Sequence, residues 1–161
     1  MKQTNTNNII DELVFLLEKG NAHVSFEDAV KELPAELRAS KPANLPYNIW
    51  QLASHIKITQ WDIVEFCLST THVSPEWPKE YWPEAVEQVS DKDWNACCKQ
   101  IKDDRERFIK HLQENSGKLS DAFSYGDGQS LLREALLIAD HTAYHTGQIL
   151  VVRRLLGNWN S

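Results

Sequence analysis

Cysteine is scarce in this chain and unorganised. Cys67 and the adjacent pair Cys97 and Cys98 are the three present, with no C-x-x-C spacing. An odd set placed in this way suggests neither a disulfide framework nor a zinc ribbon, and it fits a reducing setting. The three lie on or beside apolar stripes, where free cysteines behave as inert core residues. Glycine and proline are also few, six of each, and no Gly-rich phosphate loop or G-x-S-x-G elbow occurs. Long hydrophobic runs are missing. The first twenty residues hold one short run, Leu13 to Leu17, preceded by Asp11 and Glu12, too short for a signal-peptide core or a membrane span. The expectation is a cytoplasmic protein with no membrane partner. Nor is there an excess of positive charge: 17 Lys and Arg face 23 Asp and Glu, a net charge of -6. Such a surface repels a polyanion, so no nucleic acid is expected as partner.

What is present is the composition of one globular domain spanning 1–161, 42% hydrophobic and 25% charged. A chain of this size buries roughly 68 to 70% of its unfolded surface, enough for a core without metal or disulfide staples. Ile9, Ile10, Leu13, Leu16 and Leu17 recur at helical spacing and predict a first helix from about Asn5 to Lys19. Ser25 and Asp28 signal a short helix that Pro34 ends, and 41–46 reads as a turn; neither looks like a core element. Asn48 with Gln51 matches a capping box for a second long helix, Ile49 to Leu68. Pro75, Pro78 and Pro83 then break the pattern between Ser69 and Val89, around Trp77, Tyr81 and Trp82. A connection of this length is functional in some proteins and a packed cover in others, and the aromatic residues suit burial as well as substrate contact. Ser90 caps a third helix carrying Trp94, Cys98, Ile101, Phe108 and Leu112, closed by Gly117, and a fourth runs from about Ser130 to Leu156, stopped by Gly157. No alternating strand pattern competes. The fold class is all-α, a four-helix bundle whose long connection between helices 2 and 3 allows a crossover.

At about 100° per residue, the fourth helix gathers Leu131, Leu137, Ile138, Ile149, Val152, Leu155 and Leu156 on one arc, opposite Arg133, Asp140, Thr146 and Arg154. His141, His145, Glu134 and Gln148 fall inside the apolar arc, where polar groups must find partners. Histidines at i and i+4 project from one face and can reach a single metal ion; the alternative is that each hydrogen-bonds within the core. A third ligand would have to come from another helix. His55 is the candidate, at the flank of the second helix's apolar arc near Thr59 and Phe66, with Asp62 two turns along. His23, His72 and His111 lack such company and are expected to face solvent. Thr142 after His141 excludes H-E-x-x-H protease chemistry, and no Glu lies three residues before any histidine, which excludes the Glu-x-x-His motifs of di-iron bundles.

The stretch from Leu45 through Asn48 to His55, the later His141-Thr-Ala-Tyr-His145-Thr-Gly147-Gln148, and the closing Arg153 to Gly157 resemble the DinB-like (YfiT-like) superfamily over essentially the whole chain. The resemblance implies a DinB/YfiT-type bundle with one divalent metal, nickel or zinc in the first place and iron or manganese as alternatives, held by His55, His141 and His145. One departure is Asn48 where the family often has Ser or Thr, and Asn caps equally well.

The resemblance further implies, from relatives that use bacillithiol or mycothiol, a metal-dependent thiol S-transferase acting on a small-molecule electrophile with a low-molecular-weight thiol, and a homodimer. Glu134, Gln148 and Asp62 are candidates to orient the imidazoles; Glu134 would otherwise make an ion pair to a neighbouring helix, and Gln148 a helix bridge. The alternatives are a metal-dependent hydrolase, in which an open metal position activates water, and a non-enzymatic metal-binding stress-response module.

Overall fold

The computed structural model describes residues 2–159. Among them are five α-helices and no strand: α1 (Lys2–Lys19), α2 (Phe26–Val30), α3 (Ile49–Leu68), α4 (Asp91–Glu114) and α5 (Leu131–Leu155), with 3-10 turns at Ala35–Leu37 and Ser116–Lys118. The chain is all-α, and the four long helices lie where apolar spacing and caps place them.

The helix starts follow from side-chain chemistry. Asn48 Oδ1 accepts the Gln51 backbone N–H at 2.8 Å and Gln51 Oε1 accepts the Asn48 N–H at 3.2 Å, a complete capping box that satisfies two otherwise orphaned donors. Asn48 is itself buried and its amide donates to the Ala39 carbonyl at 3.1 Å. Ser90 and Ser130 cap α4 and α5 in the same manner, accepting from the N–H groups of Asp93 and Arg133. At the far end of α5, Gly157 adopts φ +70°, while the N–H of Asn158 reaches the Arg153 carbonyl (2.8 Å) and that of Gly157 the Arg154 carbonyl (3.0 Å). These are the two bonds of a Schellman stop, which needs a left-handed residue at that point.

Side-chain contacts fix the helix directions. Trp50 meets Trp94 at 6.4 Å between ring centroids, Gln60 donates to the Ile101 carbonyl at 2.5 Å, and Glu65 pairs with Arg107 at 2.7 Å, so α3 and α4 run parallel. A short turn cannot join parallel neighbours, so residues 69–90 return the chain along α3. α5 runs opposite to α3. Ile49, Leu52 and Ile56 share one apolar cluster with Ile149 and Val152, and Ile63, Val64 and Cys67 share a second with Leu131, Ala135 and Ile138. His55, His141 and His145 sit where the two clusters meet.

Three expectations are corrected. The segment around α2 belongs to the core: Phe26, Ala29 and Leu33 are buried in the first cluster, and the buried Arg153 guanidinium donates to the carbonyls of Ala29 (2.7 Å) and Lys31 (3.0 Å). Five residues are too few to display a helical period, so its burial left no sequence pattern. On α5, Leu137 and Leu155 are exposed whereas Thr146 is buried. The helix packs against α1 and α2 as well as α3, which centres its buried arc on Leu131, Ile149 and Ile138. Leu137 and Leu155 then lie about 120° away on the open side. His141 and Gln148 fall at the edge of that arc and are half-buried, which leaves the histidine cluster open on one side.

Replacement of Asn48 by Ala removes the capping box and strands the Ala39 carbonyl. We expect a loss of about 1 to 2 kcal/mol in the unfolding free energy from urea denaturation, with unchanged dependence on urea concentration.

Candidate metal centre

His55 lies two turns inside the Asn48 cap and is 2% exposed. Its Nδ1 is 2.9 Å from the Tyr81 carbonyl oxygen. A carbonyl only accepts, so Nδ1 carries the proton and the Nε2 lone pair is left free. Trp82 lies flat against the ring, 3.8 Å between centroids at 11°. On α5, His145 Nδ1 is 2.6 Å from Gln148 Oε1, which assigns the same tautomer and again frees Nε2. His141 Nε2 is 3.0 Å from His55 Nε2, so in this state His141 donates and His55 accepts. One ligand atom from each of the three rings lies within 4.8 Å of the others.

Burial sets the charge of the cluster. Desolvation lowers the pKa of all three imidazoles, and for His141 the neighbouring His145 and His55 add to it, pushing the value down to about 3. Neutral imidazole is the form a metal requires. Three neutral nitrogens converging from two helices, two of them with the far nitrogen already committed, fit a transition-metal ion and leave coordination positions for a ligand. They can hold a metal without the deprotonation that a thiolate set would need.

The other residues singled out from sequence divide. Gln148 touches His145 directly. Asp62 makes no hydrogen bond to a histidine of the cluster: its Oδ2 accepts the Tyr81 hydroxyl at 2.6 Å and its Oδ1 pairs with His72 Nε2 at 2.7 Å. It bears on His55 only through Tyr81. Glu134 is buried but makes no hydrogen bond to any of the three rings; an Arg133 nitrogen lies 3.5 Å from its Oε1, close enough to attract but not aligned as a hydrogen bond. His72 is corrected from the solvent-facing set, since its side chain is 9% exposed and edge-on to Trp61 at 5.3 Å. His111 is half-buried against Asn115, and His23 is exposed.

Tyr81 and Trp82 are the site residues that sequence left undecided. Tyr81 is buried and supplies the carbonyl that orients His55, and Trp82 covers the ring, whereas Trp77 is 67% exposed at the rim, 6.5 Å from His55. A backbone carbonyl carries no residue signature, so only the path of the loop reveals its role. A separate groove of about 950 Å3 along α3 and α4, with Trp50, Lys57 and Trp61 in its wall, includes none of the three histidines. Among the described residues no helix is long and apolar enough to cross a membrane.

A family model described as the DinB superfamily matches residues 22–149, about four-fifths of the chain and all three histidines. No curated protein and no solved structure matches it.

Two outcomes follow from the burial of these groups. Each histidine of the cluster has a folded value below its unfolded value of about 6.5, so between the two the unfolded chain binds more protons. The stability of chelator-treated protein is therefore complete above about pH 6.5 and falls as acid is added, towards about 3 for His141. The urea midpoint should drop between neutral and mildly acidic buffer, and His141→Gln should flatten that drop; an unchanged slope would refute the assignment. Burial also pushes the thiols of Cys67, Cys97 and Cys98 up to about 12, 11 and 12. Iodoacetamide at mildly alkaline pH should leave the folded protein unlabelled and modify all three cysteines in urea, as read by mass spectrometry.

Proposed function

We propose, for a chain that belongs to the DinB superfamily, that it binds one divalent transition metal through His55, His141 and His145. On this reading it acts as a metal-dependent thiol S-transferase towards small electrophilic molecules. The observation that carries the proposal is the convergence of three imidazole donors within 4.8 Å. Nickel or zinc suits an imidazole set, with iron or manganese as alternatives. When bound, such an ion supplies Lewis acidity that favours the ionised form of a thiol near neutral pH.

The chain's own residues have distinct tasks. The Tyr81 carbonyl and the Gln148 amide oxygen hold two rings with Nε2 forward, so donor geometry is set before any ligand arrives. Trp82 shields one face of His55 from water, and the exposed Trp77 and Tyr144 stand beside the open side. These walls suit an apolar electrophile. The nucleophile has to be brought in, because the protein's cysteines are buried or half-buried and held protonated; a low-molecular-weight thiol meets that need. Among the described residues no carboxylate is hydrogen-bonded to the histidine cluster to serve as a base for water, which weighs against the hydrolase reading. Cytoplasmic location and homodimeric assembly belong to the same proposal, the first resting on the cysteine usage and the short hydrophobic runs of the sequence and the second on the family.

Elemental analysis of protein purified without a nickel column should find about one transition metal per chain, as a single three-histidine site requires, and almost none after all three histidines are changed to Ala. Retention of metal by that variant would refute the site. Metal-loaded protein should then accelerate conjugation of bromobimane or a chlorodinitrobenzene with at least one member of a panel of small thiols. Ester hydrolysis without thiol would favour the hydrolase, and no turnover in either screen the metal-binding module.

A further inference from the structure

Two turns along the bundle seam from the histidine cluster, a cavity of about 230 Å3 opens between α3 and α5, with Asp62, Ile63, Phe66, Arg133, Glu134 and Leu137 in its wall. Because the two helices run oppositely, the step from His55 to Asp62 and the step back from His141 to Glu134 lead the same way. Each is two helical turns, about 10 Å.

Two carboxylates, Asp62 and Glu134, face one cation, Arg133, across this wall. Glu134 is 4% exposed, and its Oε1 is a buried acceptor with no hydrogen bond, an arrangement that costs free energy until a donor arrives. The nearest cation, Arg133, is 3.5 Å away on a side chain that is 58% exposed, so its guanidinium can swing into solvent and be hydrated there. Asp62 accepts one hydrogen bond on each oxygen and keeps a lone pair on both. Phe66 adds a ring, whose face attracts cations, while Ile63 and Leu137 suit an alkyl stem.

We infer that this cavity binds the protonated amino group of a small organic molecule, with Glu134 and Asp62 as its acceptors. An ammonium brings three donors and a positive charge to a place that has acceptors in excess. It replaces Arg133 as the counter-charge of Glu134 and satisfies the orphaned oxygen. The link to the histidines rests on the function proposed above: the amine then belongs to the thiol or the electrophile, about 10 Å from its reacting end. The ammonium site itself does not depend on that function.

The test uses full-length, metal-free protein titrated with n-butylammonium chloride, n-butanol and sodium butyrate, followed by amide NMR shifts and calorimetry. Butylammonium should bind saturably in the millimolar range and shift amides of 59–66 and 129–137, whereas butanol and butyrate should not. Glu134→Gln keeps the shape and removes the charge, and should weaken binding about tenfold or more. Arg133→Gln removes the competing cation and should tighten it. Asp62→Asn provides a second loss-of-charge variant should Glu134→Gln prove unstable by circular dichroism. Equal binding of butanol, preference for butyrate, or unchanged affinity in the charge-removing variant would overturn the site. With no metal in the assay, failure here leaves the metal analysis intact, and failure of the metal analysis leaves this result standing.

Discussion

A buried imidazole can offer one nitrogen to a ligand only when its other nitrogen is already satisfied, and for His55 that partner is the Tyr81 carbonyl. The arrangement of the site follows from this bond. It requires the connection between α3 and α4 to pass beside His55, and it fixes the ring so that Nε2 points at His141. The same passage lays Trp82 on the imidazole face. Tyr81 is held in turn by Asp62, which His72 secures from the other side, so one acidic side chain ties the returning loop to the helix that it covers.

The bond has a topological origin. Parallel α3 and α4 force the chain to travel back along α3, and a connection that must be long can be used as a wall. Its prolines and aromatic residues are consistent with that use, since a loop over a polar site has to bury apolar surface of its own to stay in place. The core does not depend on a metal for its bulk: two apolar clusters lie above and below the histidines, and the Nδ1 atoms of His55 and His145 are partnered by protein oxygens. The seam between α3 and α5 is incomplete, with unsatisfied oxygens on Thr59, one turn from His55, and on Glu134, two turns from His141. Of these, Glu134 also lines a cavity, so a donor that enters there can satisfy it.

Much of the fold was legible in the residues. The Asn48 capping box, the serine caps of α4 and α5 and the Gly157 stop each depend on contacts within a few residues, so local chemistry suffices to place them. The i, i+4 pair His141 and His145 is likewise local, and so is its tie to Gln148. The short helix α2 was not legible as core, because five residues carry no period. The facing of α5 was misread for another reason: a helical wheel orders residues around an axis but does not say which neighbours cover it. His72 escaped notice because its partner Asp62 lies on another element.

By itself, then, the sequence determined the helices, their ends and the presence of two histidines on one helix face, all consequences of interactions spanning one or two turns. That His55 belongs with them rested on burial position and family resemblance, and the direct approach of its Nε2 to His141 is a product of the antiparallel packing of α3 on α5. The tertiary structure alone decided which nitrogen of each ring is free, that Tyr81 acts through its backbone, and that Glu134 faces a cavity without a hydrogen-bond partner. These depend on atoms brought together from distant parts of the chain. Carbonyl positions and unsatisfied oxygens leave no mark in residue identity, because every residue has a carbonyl and any buried carboxylate can be paired or not according to what packs against it.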